Sequence, residues 1–195
     1  FALGENPKSV YNDRDETPIT RMATAAMIRE GLAKAQRYQQ ELDFAESDPD
    51  EHMPDYDAKS EALLPLLERD VKAHFHCHRA DDICTAIRIA KEFNLDYVII
   101  HGTEGHLIAD ILAEENAPVI AGPILCDRCK PEMQHLTISG PSIMQKAGVK
   151  LALCTDHPVI PIQYLPTTAA LAVKGGMQRE DALYAITAGA AEILG

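Results

Sequence analysis

Three short stretches combine metal-ligand residue types with strand-like surroundings. They are His74-Phe75-His76-Cys77-His78, His101-Gly102 and Thr155-Asp156-His157-Pro158, and each closes an apolar, β-prone run. In parallel α/β folds ligands bind where the strands end at their carboxyl side. Imidazoles and a carboxylate converging there, with one coordination position left open, are the makings of a catalytic zinc site. Strand alternation puts His74, His76 and His78 on one side. His74 lies deepest on this reading and is structural, whereas His76 or His78 sits at the rim, where a ligand belongs.

The elements that must position these residues follow from periodicity. Strands are predicted at 71–76, 95–100, 118–121 and 149–154. Helical spacing of Ile83, Ala86, Ile87, Ala90 and Phe93 fills the first interval. A second helix, capped by Thr103, carries Leu107, Ile108, Ile111 and Leu112 on one face. Ser139 to Ala147 is a third, closed by Gly148, and helices at 164–173 and 179–194 end the chain. Upstream, Thr17-Pro18 opens a helix reaching about Leu42. Strand and helix alternating in this way mean βαβ units and a parallel sheet. Periodicity leaves both a flavodoxin-like sheet and a (β/α)₈ barrel open.

Composition narrows the function classes. The 195 residues allow one domain with its own core. The formal charge of −12 argues against nucleic acid and anionic membranes as partners. No stretch reaches the roughly 18 to 20 apolar residues that span a bilayer. The opening residues lack the basic and long apolar regions of a secretory signal. Five cysteines without framework spacing fit a reducing cytoplasm. The acidic, proline-bearing stretch 46–57 is expected to be an exposed mobile loop, a lid being the functional alternative.

Three segments together, His76-Cys77-His78-Arg79-Ala80-Asp81-Asp82-Ile83, Val98-Ile99-Ile100-His101-Gly102-Thr103-Glu104 and Leu151-Ala152-Leu153-Cys154-Thr155-Asp156-His157-Pro158, resemble strands five, six and eight of a metal-dependent amidohydrolase barrel. The likeness is nearest to the branch of imidazolonepropionases and prolidase-like dipeptidases. The tail from Ala185 to Gly195 is similar to the helix after that barrel, and Gly4-Glu5-Asn6-Pro7-Lys8 to its strand-four region. The resemblance implies an α/β fold, a partial TIM (β/α)₈ barrel holding approximately strands 4–8.

It also implies roles. His76 aligns with the strand-five ligand, and His78 is then a substrate contact, or itself the ligand if the register shifts by two. His101 aligns with the strand-six histidine, which binds metal or orients the substrate. Asp156 aligns with the strand-eight aspartate, a metal ligand that takes the proton of the attacking water. Glu5 falls at the strand-four bridging position, with Lys8 the alternative. Arg79 and His157 are candidate substrate contacts. The implied cofactor is a divalent metal, zinc first, with iron or manganese as alternatives. The implied activity is hydrolysis of a C–N bond in an amide, cyclic amide or amidine of a small molecule. A deaminase of the same fold and a catalytically inactive binding relative are the other readings. Homo-oligomers enter by analogy alone.

One departure stands out: the superfamily's strand-one His-x-His pair and strands one to three have no counterpart. The chain is therefore expected to be part of a longer protein and inactive by itself. Among weaker signals, Cys126-Asp127-Arg128-Cys129 reads as incidental loop cysteines on the rim of the site. Arg128 could bind a carboxylate as a bidentate fork.

Overall fold

The computed structural model describes residues 1–48 and 50–195. Helices α1 (Glu5–Asn12), α2 (Arg21–Ser47), α3 (Ala58–Glu61) and α4 (Leu64–Leu67) precede strand β1 (Ala73–Cys77). There follow α5 (Ala80–Glu92), β2 (Tyr97–His101), α6 (Ala109–Glu114), β3 (Val119–Ala121), α7 (Gly140–Lys146) and β4 (Leu151–Leu153). Helices α8 (Leu165–Lys174), α9 (Arg179–Ala185) and α10 (Ala188–Leu194) close the chain. All four predicted strands are present.

The strands form one parallel sheet in the order β1-β2-β3-β4. Cys77 stands level with His101, His101 with Ala121, and Ala121 with Leu153, so every strand ends at the same edge. A doubly wound sheet reverses its strand order at a switch point, where its ligand sits. No reversal occurs here, and unbroken sequential order is the order of a barrel. The sheet is consistent with a partial barrel. At its first edge Leu3 donates to the His76 carbonyl and His76 to the Phe1 carbonyl, both at 2.9 Å, adding a short parallel bridge.

Alternation divides the sheet into two faces. Phe75, Ile99, Val119 and Leu151 are buried on one, packed in a core with Ile83 and Ala86 of α5, Leu112 of α6, Met144 of α7 and Ala172 of α8. Burying each large side chain contributes roughly 1.5–3 kcal/mol. Val98 and Ala152 lie on the other face, covered by Ile193 of α10. His74 belongs to that second face and is exposed, so the structure corrects its expected deep position.

Helix limits differ from the periodic reading in four places. Helix α2 begins three residues after Pro18: Thr20, not Thr17, caps it, accepting from the Ala23 N–H at 3.1 Å. Thr103 caps nothing, because its hydroxyl pairs with His78; a 3₁₀ turn at Gly105–Ile108 opens that helix instead. The single terminal helix is two, interrupted at Ile186 and Thr187, whose hydroxyl donates back to the Leu183 carbonyl at 2.6 Å. Within the predicted loop 46–57, Glu46 and Ser47 end α2, while Asp57 caps α3 and pairs with Lys34. Pro49 lies outside the described residues.

Candidate metal centre

The carboxyl ends of β1 and β2 deliver three imidazoles to one point. His76, His78 and His101 each offer a nitrogen, and these atoms lie within 4.8 Å of one another. The rings of His78 and His101 stack at 4.6 Å between centroids, and His76 stands edge-on to both. His76 reaches the cluster by strand alternation and His78 by following β1 across the rim. His101 does so with φ +75, a conformation that costs a residue other than glycine about 1–3 kcal/mol.

Hydrogen bonds fix the rings. Nδ1 of His101 donates to the Gly122 carbonyl at 2.7 Å, leaving Nε2 its lone pair. Nδ1 of His78 pairs with the Thr103 hydroxyl at 2.7 Å, and Nε2 of His76 with the Asn6 amide at 3.2 Å. Nδ1 of His76 is buried without a partner. Burial, then the neighbouring His101 and His76, push His78 down to about 3, so it is neutral at physiological pH. Burial also lowers His101, against the opposing pull of the Gly122 carbonyl. The free Nε2 lone pair of His101 and the orphaned buried Nδ1 of His76 suit a divalent cation, so the residues present fit such an ion.

A cavity of about 300 Å³ opens onto the cluster, lined also by Asp156, Asn6 and Lys130. Asp156 follows β4 with φ +54 and is exposed. Four predicted site residues thus meet at one cavity: His76, His78, His101 and Asp156.

The other three are placed elsewhere. Glu5 starts α1 instead of extending a strand, since Gly4 at φ +83 turns the chain and Pro7 fits a first helical turn. Its carboxylate pairs with Arg21 at 3.0 Å and Lys8 at 3.3 Å. Arg79 is held by Asp81 through two bonds of 2.9 Å, and His157 is exposed; neither lines the cavity. Arg128 likewise donates to the Leu136 carbonyl, at 2.8 Å.

Sequence reading missed Asn6, Lys130 and Glu132. The Lys130 ammonium donates to Asn6 Oδ1 at 2.7 Å, and Asn6 holds His76, so the β3–α7 loop braces the cluster. The one available signal was Cys126-x-x-Cys129, placed on the site's rim; both cysteines do line the cavity.

Fold and site together define an α/β chain with a histidine cluster fit for a metal at the carboxyl edge of a parallel sheet. The chain is similar to a crystal structure of an amidohydrolase from Thermotoga maritima MSB8, with 44% identity and a TM-score of 0.95. The match covers 99% of this chain and 50% of that one, so the chain spans half the length of that relative. This likeness supports the amidohydrolase superfamily. No family model matches the chain, and no curated protein matches it. No helix among the described residues is long and apolar enough to cross a membrane.

Proposed function

We propose that this chain forms part of a metal-dependent hydrolase that cleaves a C–N bond in an amide, cyclic amide or amidine, within the imidazolonepropionase-like branch. The observation that carries the reading is the cluster of three imidazoles facing a cavity that Asp156 shares. The 44% identity to an amidohydrolase supports it.

His76 and His101 would hold the ion, with His78 beside them. When bound, a divalent ion, zinc first and iron or manganese as alternatives, supplies the Lewis acidity that acidifies water and polarises a carbonyl. Asp156 takes the proton of the attacking water on a carboxylate oxygen and passes it to the leaving nitrogen. His101, anchored by Gly122, keeps its orientation while charge develops on the substrate. His78 faces the substrate from the cavity wall. The surrounding protein completes the (β/α)₈ barrel, works on a small molecule and resides in the cytoplasm.

The test is zinc content and turnover of imidazolones, hydantoins and N-acyl amino acids by the natural full-length protein, beside Asp156→Ala. Zinc bound by the wild type and activity lowered about 10²- to 10⁴-fold in the variant are expected. A full chain that purifies without metal and refuses added zinc would leave the histidines as ordinary structural residues and sink the reading.

A further inference from the structure

Glu132 is a charged side chain buried to 1% exposure, on the loop between β3 and α7. Its Oε2 accepts the Glu5 N–H at 2.8 Å, at the start of α1. Its Oε1 is buried with no hydrogen-bond partner. Two groups approach that oxygen without bonding it: Nε2 of His78 at 3.7 Å and the Lys130 ammonium at 3.9 Å.

A buried carboxylate is normally paired on both oxygens, because the unmade bond leaves the desolvation penalty uncompensated. The chain is shaped to keep this one in place. A Cβ on Gly4 would come within 2.5 Å of Oε2, so a glycine 128 positions earlier makes room for it. The half-used carboxylate therefore faces a cluster of three imidazoles that itself contains an orphaned buried nitrogen. A carboxylate beside a metal site orients the imidazole it faces and adds negative charge that favours a bound cation.

We propose that Glu132 is a positioning residue of the cation site, acting through His78: its carboxylate orients that imidazole and supplies negative charge that strengthens binding of a divalent cation. The inference rests on the metal-site reading above and adds a residue to it. Glu132 acts through His78 and does not touch the reacting atoms.

The test is zinc affinity of the full chain, measured by competition with a chromophoric chelator, for wild type, Glu132→Gln and Glu132→Asp. Gln keeps an acceptor for the Glu5 N–H and removes only the charge. Asp keeps the charge and withdraws it from His78. Zinc affinity should fall about 10- to 100-fold in Glu132→Gln and by less in Glu132→Asp, and the visible band of the cobalt-loaded protein should shift in both. A purely structural Glu132 would lower the melting temperature of the metal-free variants but leave zinc affinity and the cobalt band unchanged, which overturns the proposal. Should wild type itself take up no zinc, the cation site falls, and Glu132's role with it.

Discussion

At the scale of single residues, two site positions hold backbone conformations that side chains avoid: His101 at φ +75 and Asp156 at φ +54. Asp15, Arg69, Asn94 and Asn116 share the left-handed conformation away from the cavity, but His101 and Asp156 are the two that face it, where the backbone cost is offset by the aim of the side chain. Tyr97 shows a different residue-level cost. Its hydroxyl is buried without a partner, and burial, reinforced by Glu115, pushes it from 10 up to about 12. A raised folded value means that the group's contribution is complete below pH 10.0 and is lost as pH rises through about 12. Tyr97→Phe should match or exceed wild-type stability at neutral pH, and its advantage should widen across that window. Denaturant midpoints at stepped pH would check this; an advantage independent of pH would mean the hydroxyl ionises freely in the folded protein.

At the scale of elements, the strand ends and their turns place the site. The turn after β3 has a double task. Its Gly122 carbonyl anchors His101, and its φ of +137 admits glycine almost alone. A Cβ there would lie 2.2 Å from the Cys154 carbonyl oxygen, beyond the end of β4. Gly122→Ala must therefore push β3 and β4 apart or move the turn, at about 1–3 kcal/mol, and it should also loosen His101. Thermal denaturation with zinc titration measures both effects. A variant with wild-type melting would show that the turn adjusts without strain. In the core beneath, Leu112 is fully buried between α6 and the sheet, and Leu112→Ala should cost about 2–5 kcal/mol without altering the cavity.

At the scale of the whole molecule, burial sorts the five cysteines by reactivity. Cys129 is exposed, Cys77 is buried with its thiol pushed well up by burial, and Cys154 is raised to about 11, again by burial. The thiolate is the reactive form. Alkylation at neutral pH should label Cys129 first, the half-buried Cys154 slowly, and Cys77 only as fast as the structure opens. Mass spectrometry after timed labelling would read this; early modification of Cys77 would show that β1 is not part of a stable sheet. The chain also matches half of the Thermotoga maritima amidohydrolase. The His-x-His pair that the resemblance expects upstream has no counterpart in this segment, so the whole protein's metal content is the decisive property of the intact molecule.

Strand existence, and the placing of His76, His78, His101 and Asp156 at strand ends, were legible in the sequence, because strand period and strand-end position are local properties; the strand order was not, since the same period fits a doubly wound sheet and a barrel. Local pattern was blind to three things. Glu5 looked like a bridging ligand until Gly4 turned the chain into α1 and Arg21, sixteen residues on, claimed its carboxylate. Thr103 looked like a helix cap until His78 took its hydroxyl. Glu132 and Lys130 carried no periodic signal, yet they meet residues 127 and 124 positions earlier in the chain. Periodicity decides which face of an element a side chain occupies; which long-range partner then satisfies its polar atoms is decided only by tertiary packing, since a buried donor or acceptor must find its bond wherever the fold supplies one.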